Sequence, residues 1–585
     1  MNHAETIKRL QTAKDDPEKL TLATVDIVTA QEPSLRTALE VAAVPHWFDT
    51  RILSQLLEAE ETTASQWVDQ LRSLPMVEAF PAHNGWNVHE TTRLALRNWL
   101  RRQEPERLEK LSAKASKCLA GADPARVVEA IYHNLLASPD EAADELERVR
   151  SEWSNAGRYE SLQILGVALR ELLTPGFLSP VARARSLLSF VLIRRGELPL
   201  AESERMARES VDLFQQVGSC IGEVDARDLL GDILRVRGQL EEALSEFKKW
   251  QQIVTRWRKQ EPDNPHWQRE LSVSHGKIAD ILLAQGKGPS ALLEYEAARN
   301  IRVELTKLET DNTAWLHDLS ISCSKLGECL KSLGRLPEAT REIEASKQIM
   351  LQLTAADPEN SVWQRHLSIS HNKLGNILRA QDQLVEAMHE FEEGKRILQR
   401  LVSRDPQNTD WQRDLSVAHN SIGNVFHSQV KLENALQEYK CFKSLMQQLA
   451  ESDPENTTWQ RDLAVAHGNI GRVLEAQNQP NGAISEFEAE KAIMQDLLAR
   501  NQENASWLRG LSIAHNHLGR VLEGQGRLAQ ALTEYEADLK IARQLAAQDS
   551  SNIRWQQDLA VTLADVKRVS GQVRGDDGFD LKTPA

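Results

Sequence analysis

Residues 405–424, DPQNTDWQRDLSVAHNSIGN, decide the fold, because the chain writes this phrase again at a fixed interval. Its Trp411 recurs as Trp267, Trp315, Trp363, Trp459, Trp507 and Trp555, each step 48 residues without an insertion or deletion. A fixed period of this size marks a unit that cannot bury its apolar face alone and does so by stacking on copies of itself, as a solenoid. Asn408 stands three residues before its Trp, as do Asn264, Asn312, Asn360, Asn456, Asn504 and Asn552. Asn is a strong helix N-cap, because its side-chain oxygen accepts a hydrogen bond from a free N–H of the first turn. Asp-Pro ahead of it, at Asp357-Pro358, Asp405-Pro406 and Asp453-Pro454, stops the previous helix and sets the turn. The Trp then falls in the first turn of a long helix, where it is expected to cover the joint between units.

A second regularity runs through the same units. Small residues stand at Ser189, Gly231, Ala279, Gly327, Gly375, Gly423, Gly471 and Gly519. Twelve residues later come Ala201, Ala243, Ala291, Ala339, Ala387, Ala435, Ala483 and Ala531. Four further on are Phe247, Tyr295, Ile343, Phe391, Tyr439, Phe487 and Tyr535, with Arg205 as the one misfit. This register resembles the tetratricopeptide repeat (TPR) over roughly residues 180–569, at its eighth, twentieth and twenty-fourth positions. The spacing departs from the family's ~34 residues: the first step is 42 and the rest are 48. The excess divides into about seven residues per helix, close to two turns, so each unit reads as a pair of helices of about 20 residues with the inward face preserved. The small residues let the paired helices approach, and the aromatic wedges the next unit.

Ahead of the array the period changes. Three helical segments, at 34–44, after Asp49, and from Thr62 or Thr63 to Leu74, are followed by MVEAF, the turn residues His83, Asn84 and Gly85, and WNVH, which read as two short strands. Residues 91–101 return to helix. The phrases AAVPHWFDTRIL (42–53), LRSLPMVEAF (71–80) and GWNVHETTRLALRNWL (85–100) resemble the winged-helix segment of STAND-type signalling ATPases over about 70 residues. That resemblance implies a signalling or defence assembly. Nothing in the chain matches GxxxxGK[ST], however, and AQGKGPS (284–290) has the wrong spacing, so the phosphate loop of those ATPases is missing.

The fold expected is therefore all-α, an α-solenoid of TPR-like hairpins preceded by a small winged-helix-like α+β module. Residues 1–33 form a lead-in with one helix near 20–30, 34–103 the module, and 104–175 a helical connector ending at Thr174-Pro175-Gly176. Two shorter units occupy 176–265, the 48-residue repeats and a capping helix 266–569, and a disordered tail 570–585.

With 585 residues, 41% apolar, 26% charged and a net charge of −15, the chain reads as a soluble helical protein. No apolar run approaches the ~20 residues that span a bilayer, and the polar N-terminus carries no signal-peptide core. These point to the cytoplasm. The acidity argues against nonspecific nucleic-acid binding, and ASQWVDQLRSL (64–74), the candidate recognition helix, has Arg72 as its one cation. Cys118, Cys220, Cys323, Cys329 and Cys441 are scattered and read as reduced.

His275, His371, His419, His467 and His515 also follow the period, with Cys323 in the missing slot. Equivalent residues of neighbouring units stand a helix-pair width apart, too far for shared metal ligands at ~2 Å. They read as buried imidazoles bonded to a neighbouring helix. No HExxH, GxSxG or phosphate loop is present, so no catalytic residues, cofactor or metal are expected, and the chain reads as a non-enzyme.

The TPR resemblance implies that first helices line a concave side, through motif positions two, five, nine and twelve. Position two is apolar here (Ile369, Val417, Val465) and is expected to be buried. The remaining positions, with the Arg of WQRD one turn-pair back, give stripes of Arg365, Asn372, Asn376 and Arg379, then Arg413, Asn420, Asn424 and His427. Arg461 and Arg472 follow, then Arg509, Asn516 and Arg520. Such a surface suits an acidic peptide, through guanidinium–carboxylate contacts and carboxamide bonds to peptide backbone. Equally, WQRD carries its own acid, and each Arg could pair with an Asp or Glu of the adjacent helix. The leading reading is a scaffold binding a protein or peptide. The alternatives are a sensor subunit serving a separate NTPase or effector protease, and a nucleic-acid-binding regulator.

Overall fold

A computed structural model of the chain describes residues 10–156, 158–174, 176–502, 504–548 and 552–576. The start of the lead-in, Pro175 and the last nine residues of the expected tail lie outside the described residues. The chain divides into two compact units, Met1–Gln285 and Gly286–Ala585.

The first unit begins with α1 (Pro17–Val28), α2 (Pro33–Ala42), α3 (Thr50–Leu57), α4 (Glu61–Leu71), β1 (Val77–Phe80), β2 (Gly85–Val88) and α5 (Glu90–Gln103). Asp49 caps α3, its carboxylate accepting from Ile52 N at 2.7 Å. The strands pair antiparallel, Val77 opposite Val88 and Phe80 opposite Gly85. Asn84 closes their turn in the left-handed region, at φ 51°, which Asn tolerates better than most residues. Phe48, between α2 and α3, adds a third backbone partner: its N–H donates to Trp86 O (2.7 Å) and its oxygen accepts from Trp86 N (2.8 Å). Gly85 permits this approach, since a Cβ there would stand 2.5 Å from Phe48 O. Leu39, Phe48, Leu53, Leu71, Leu96 and Leu100 are fully buried in the core beneath.

The connector is α6 (Pro105–Leu119), α7 (Pro124–Ala137), α8 (Pro139–Asn155) and α9 (Tyr159–Leu172). A buried guanidinium fastens it to the preceding elements. Arg97 of α5 donates to Ala43 O (3.0 Å), to Val44 O, and to Glu171 of α9 (2.9 Å), while Arg93 grips the same carboxylate at 2.6 and 3.0 Å. The shorter hairpins follow as α10 (Pro180–Ile193), α11 (Leu200–Val217), α12 (Cys220–Val236) and α13 (Leu240–Gln260), and α14 (Pro265–Ala284) ends the unit.

The second unit is regular. After α15 (Gly288–Leu308) come five hairpins: α16 (Thr313–Ser332) with α17 (Leu336–Ala356), α18 (Ser361–Ala380) with α19 (Leu384–Arg404), α20 (Thr409–Ser428) with α21 (Leu432–Ser452), α22 (Thr457–Ala476) with α23 (Pro480–Arg500), and α24 (Ala505–Gly524) with α25 (Leu528–Gln548). The terminal α26 (Ile553–Asp576) closes the stack, so the part of the expected tail up to Asp576 is helical. First helices have 20 residues and second helices 21, as the 48-residue period implies. The Asn caps act as expected: Asn360, Asn408 and Asn456 accept from Trp363, Trp411 and Trp459 N at 3.1–3.2 Å. Trp363 and Trp411 pack where successive hairpins meet, over Met350, Leu353, Leu398, Leu401 and Leu415.

The small eighth residue makes room for the aromatic of its own hairpin. A Cβ on Gly423 would stand 2.6 Å from the Tyr439 ring, and on Gly375 2.6 Å from Phe391. The same aromatic reaches the next first helix, as Phe391 does with Ile422 and Val425.

Candidate functional site

First helices of successive repeats are in contact, α16 with α18 and α18 with α20, more closely than successive second helices. Their cross-links are correspondingly short. Asn372 donates to Ser421 Oγ at 3.2 Å, and Asn469 to Asn420 Oδ1 at 2.7 Å. Second helices are bridged by long side chains instead. Lys347, Lys395, Lys443 and Lys491 reach Glu390, Glu438, Glu486 and Glu534 of the next hairpin at 2.8–3.1 Å. Within the second unit the first-helix side is therefore the inner face.

Those four glutamates also receive the periodic histidines. His371, His419, His467 and His515 stand 2.5–2.7 Å from them through Nδ1. Burial alone would raise these carboxyls; the hydrogen bonds from His and Lys outweigh it and hold them below the usual carboxylate range. Each Lys–Glu–His chain staples one hairpin to the next. No group of three or more His, Cys, Asp or Glu is arranged to hold a metal ion among the described residues.

The arginines of the repeated phrase form a ladder along the inner face. Arg365 bonds Asp414 at 2.6 Å, Arg413 bonds Asp462 at 2.9 Å, and Arg509 bonds Asp558 at 2.8 Å. Arg461 would meet Gly510 in that register and turns to Asp462 instead, at 2.7 Å. One rung higher, His317 and His366 replace the pair, stacked with ring nitrogens 2.5 Å apart. Arg520 is matched by Glu475 at 2.7 and 2.8 Å. Asn376 donates to Asn372 (2.9 Å), Asn424 accepts from the Tyr439 hydroxyl (2.8 Å), and Asn516 reaches Asp538 and Asp565 at 3.4–3.5 Å.

What the ladder leaves over is positive and lies at motif positions nine and twelve. The Arg379 side chain makes no hydrogen bond or ion pair among the described residues, and its Nε is buried. Lys331, 48 residues earlier in the same register, likewise has no bonded partner. Its ammonium is lowered by burial and by the neighbouring Arg379 and Lys373, against the pull of Glu328. Lys373 bridges Glu328 at 3.0 Å. The Arg472 side chain bonds Asn469 and no other group among the described residues, and His427 is lowered by burial and by Arg472 beside it. Farther along, the twelfth position turns acidic, and Glu475 and Glu523 are neutralised by Arg520 and Arg568. The cationic stretch thus covers the repeats from Trp315 to Trp459 and ends there.

Beside it lies a cavity of about 310 Å³, lined by Phe391, Leu398, Ile369 and Val417, by the cations Lys331, Lys373 and Arg413, and by the acids Glu328 and Asp414, with Asn372 and Asn376 beside them. The structure thus brings together Asn372, Asn376 and Arg413 of the expected stripes. It corrects position two: Ile369 and Val417 are half-buried on the cavity wall, and Val465 is 38% exposed, because the first helices face open groove there. Lys331 and Lys373 lie outside the stripes the sequence predicts, although the twelfth-position register that picks out Arg379 also picks out Lys331.

No described protein family and no curated protein matches the sequence. Among solved structures, a STAND protein with a tetratricopeptide repeat sensor from Pyrococcus horikoshii is similar, at 12% identity and TM-score 0.43, over 82% of this chain and 66% of that one. The quorum sensor NprR from B. thuringiensis, in its apo form, is 12% identical with TM-score 0.42, over 68% and 99%. BtubC from P. vanneervenii is 18% identical with TM-score 0.35, over 44% and 92%. Among the described residues no helix is long and apolar enough to cross a membrane.

Proposed function

We propose that the chain is a non-catalytic scaffold that seats an acidic protein segment along the inner face of its second unit. The observation that carries this reading is the surplus of positive charge at Lys331, Arg379 and Arg472 along the inner face, with Lys331 lining an apolar cavity, in a protein of net charge −15. Arg379 and Arg472, charged groups left without an acid at half-buried sites, are costly there, and carboxylates from a bound segment would relieve them, with exposed Lys331 beside Arg379 as a further contact. The ladder arginines Arg365, Arg413 and Arg509 then act as frame, while Asn372, Asn376 and Arg413 edge the cavity where an apolar side chain of the segment would enter.

A winged-helix reading of the N-terminal module is favoured by the Phe48–Trp86 backbone pairing, which adds a third strand position to the β1–β2 hairpin. Its role would be docking within a larger assembly. Against DNA reading, the one cation at the end of α4, Arg72, is paired with Asp69 at 3.2 Å.

Fluorescence anisotropy with Asp/Glu-rich and Lys-rich peptides of equal length tests the proposal. Binding of the acidic set that weakens with salt and is lost in Lys331→Gln/Arg379→Gln/Arg472→Gln is expected. Equal affinity for both sets, or no effect of the triple variant, would overturn it.

A further inference from the structure

A second cavity, of about 320 Å³, lies wholly within the first unit and shares no residue with the groove above. It opens between α8 and α12, with α10 as its floor. Leu188 and Leu192 of α10, Leu229 of α12 and the ring of Phe214 supply its apolar wall. Phe214 reaches it because Gly222 has no side chain; a Cβ there would stand 2.3 Å from that ring.

Most charges around it are matched. Arg185 pairs with Asp144 and Glu147, and Lys277 stands 2.8 Å from both Asp228 and Asp232. Arg195 stands at the exposed rim, in the field of Asp228. Two opposite charges on facing walls remain. Arg150 of α8 and Asp225 of α12 each make no hydrogen bond or ion pair among the described residues, and Arg150 Nε is buried. Arg150 feels Glu147 of its own helix first and Asp225 second, yet no ion pair closes the space between Arg150 and Asp225. Asp225 is exposed at the mouth of the cavity, and the protein packed behind it, together with Glu147, Glu270 and Asp228, pushes its carboxyl up to about 7. A group in that position gains from a cation beside it, as the guanidinium opposite gains from an anion.

We propose that this cavity binds a free α-amino acid with an apolar side chain. Its carboxylate would take the Arg150 guanidinium, whose planar fork suits a carboxylate, and its ammonium would sit on Asp225. Its side chain would lie against Leu188, Leu192 and Leu229. The volume is at the small end of the range for ligand sites, roughly 300–1,000 Å³, which favours a single amino acid over a longer peptide.

Isothermal titration of the full chain with L-leucine and L-phenylalanine tests this, beside N-acetyl-leucine, which lacks the ammonium, and leucinamide, which lacks the carboxylate. The free amino acid is expected to bind saturably, and each one-charge analogue about tenfold more weakly or worse. Arg150→Gln and Asp225→Asn, checked for unchanged helical circular dichroism, should each cause a similar loss. Failure of every proteinogenic amino acid to bind at about 10 mM would overturn the proposal. Equal binding of leucinamide or N-acetyl-leucine, or undiminished binding in both variants, would do so too.

Discussion

Arg365 and Asp414 stand 49 residues apart in the chain and 2.6 Å apart in the fold. The acid of one WQRD-type phrase receives the arginine of the phrase before it, so a feature that resembles a recognition signature is in large part a strut between repeats.

Such a rung is partly exposed, with Arg365 at 30%, and pairs of that kind contribute about 0.5–1 kcal/mol. Asp414→Asn is therefore expected to lower the denaturation midpoint slightly and to leave acidic-peptide binding unchanged. Urea titration and anisotropy on the same variant check both halves.

The glycine of the eighth position is under far stricter control. Gly423→Ala would force its methyl against the Tyr439 ring, and overpacking of this kind costs about 1–3 kcal/mol. Gly276, helical and with no atom near its added Cβ, is the contrast. Gly276→Ala should stabilise by about 0.5–1 kcal/mol, because it limits the unfolded chain and favours helix. Opposite shifts in melting temperature are the expected outcome.

The Lys–Glu–His staples make acid stability a property of the array. Glu390, Glu438, Glu486 and Glu534 are all held below their usual value of 4.5. A lowered carboxyl contributes stability that is full above that value and is lost as pH falls below it. Glu486→Gln removes the charge and leaves one oxygen to serve both Lys443 and His467, with an amide NH2 facing the other, and should cost about 1–3 kcal/mol near neutrality. Its stability should also decline less between about pH 5 and 3 than the wild type's. Thermal melts across that range read both effects.

Asp225 has the opposite sign. Its carboxyl is raised from 3.8 to about 7 on an exposed side chain, so solvent screens the effect and stability falls slightly as pH climbs from the first value to the second. Asp225→Asn should melt at a higher temperature than the wild type, with a gap that opens across that interval and stays constant above it. A gap independent of pH would contradict the assignment.

The repeat architecture was legible because it is periodic in sequence and local in space. Trp411, Asn408 and Gly423 act within a few turns of where they stand, so their letters carry their roles. His371, His419, His467 and His515 are bonded to a neighbouring helix as expected, and their partner, 19 residues on, shares the period, but only His371 and His515 of the five periodic histidines are buried. The groove was only half legible. Arg365, Arg413 and Arg509 share one letter and one register with a free arginine, and only the position of an aspartate 49 residues later makes them struts. Lys331 was passed over because its importance lies in what is missing around it, an acid at the ninth position of the next repeat, where Asn376 stands instead. The cavity of Arg150 and Asp225 falls in the irregular region, where no period aligns one helix with another.

The central claim is that the unpaired cations of the inner face, and not the ladder, hold the partner. Affinity capture from the native host should compare the wild type with two variants, the cation variant Lys331→Gln/Arg379→Gln/Arg472→Gln and the ladder variant Arg365→Gln/Arg509→Gln. The account predicts that an acidic partner is lost from the first and retained, on a less stable scaffold, by the second. A partner retained by the first variant and lost from a folded second would contradict it.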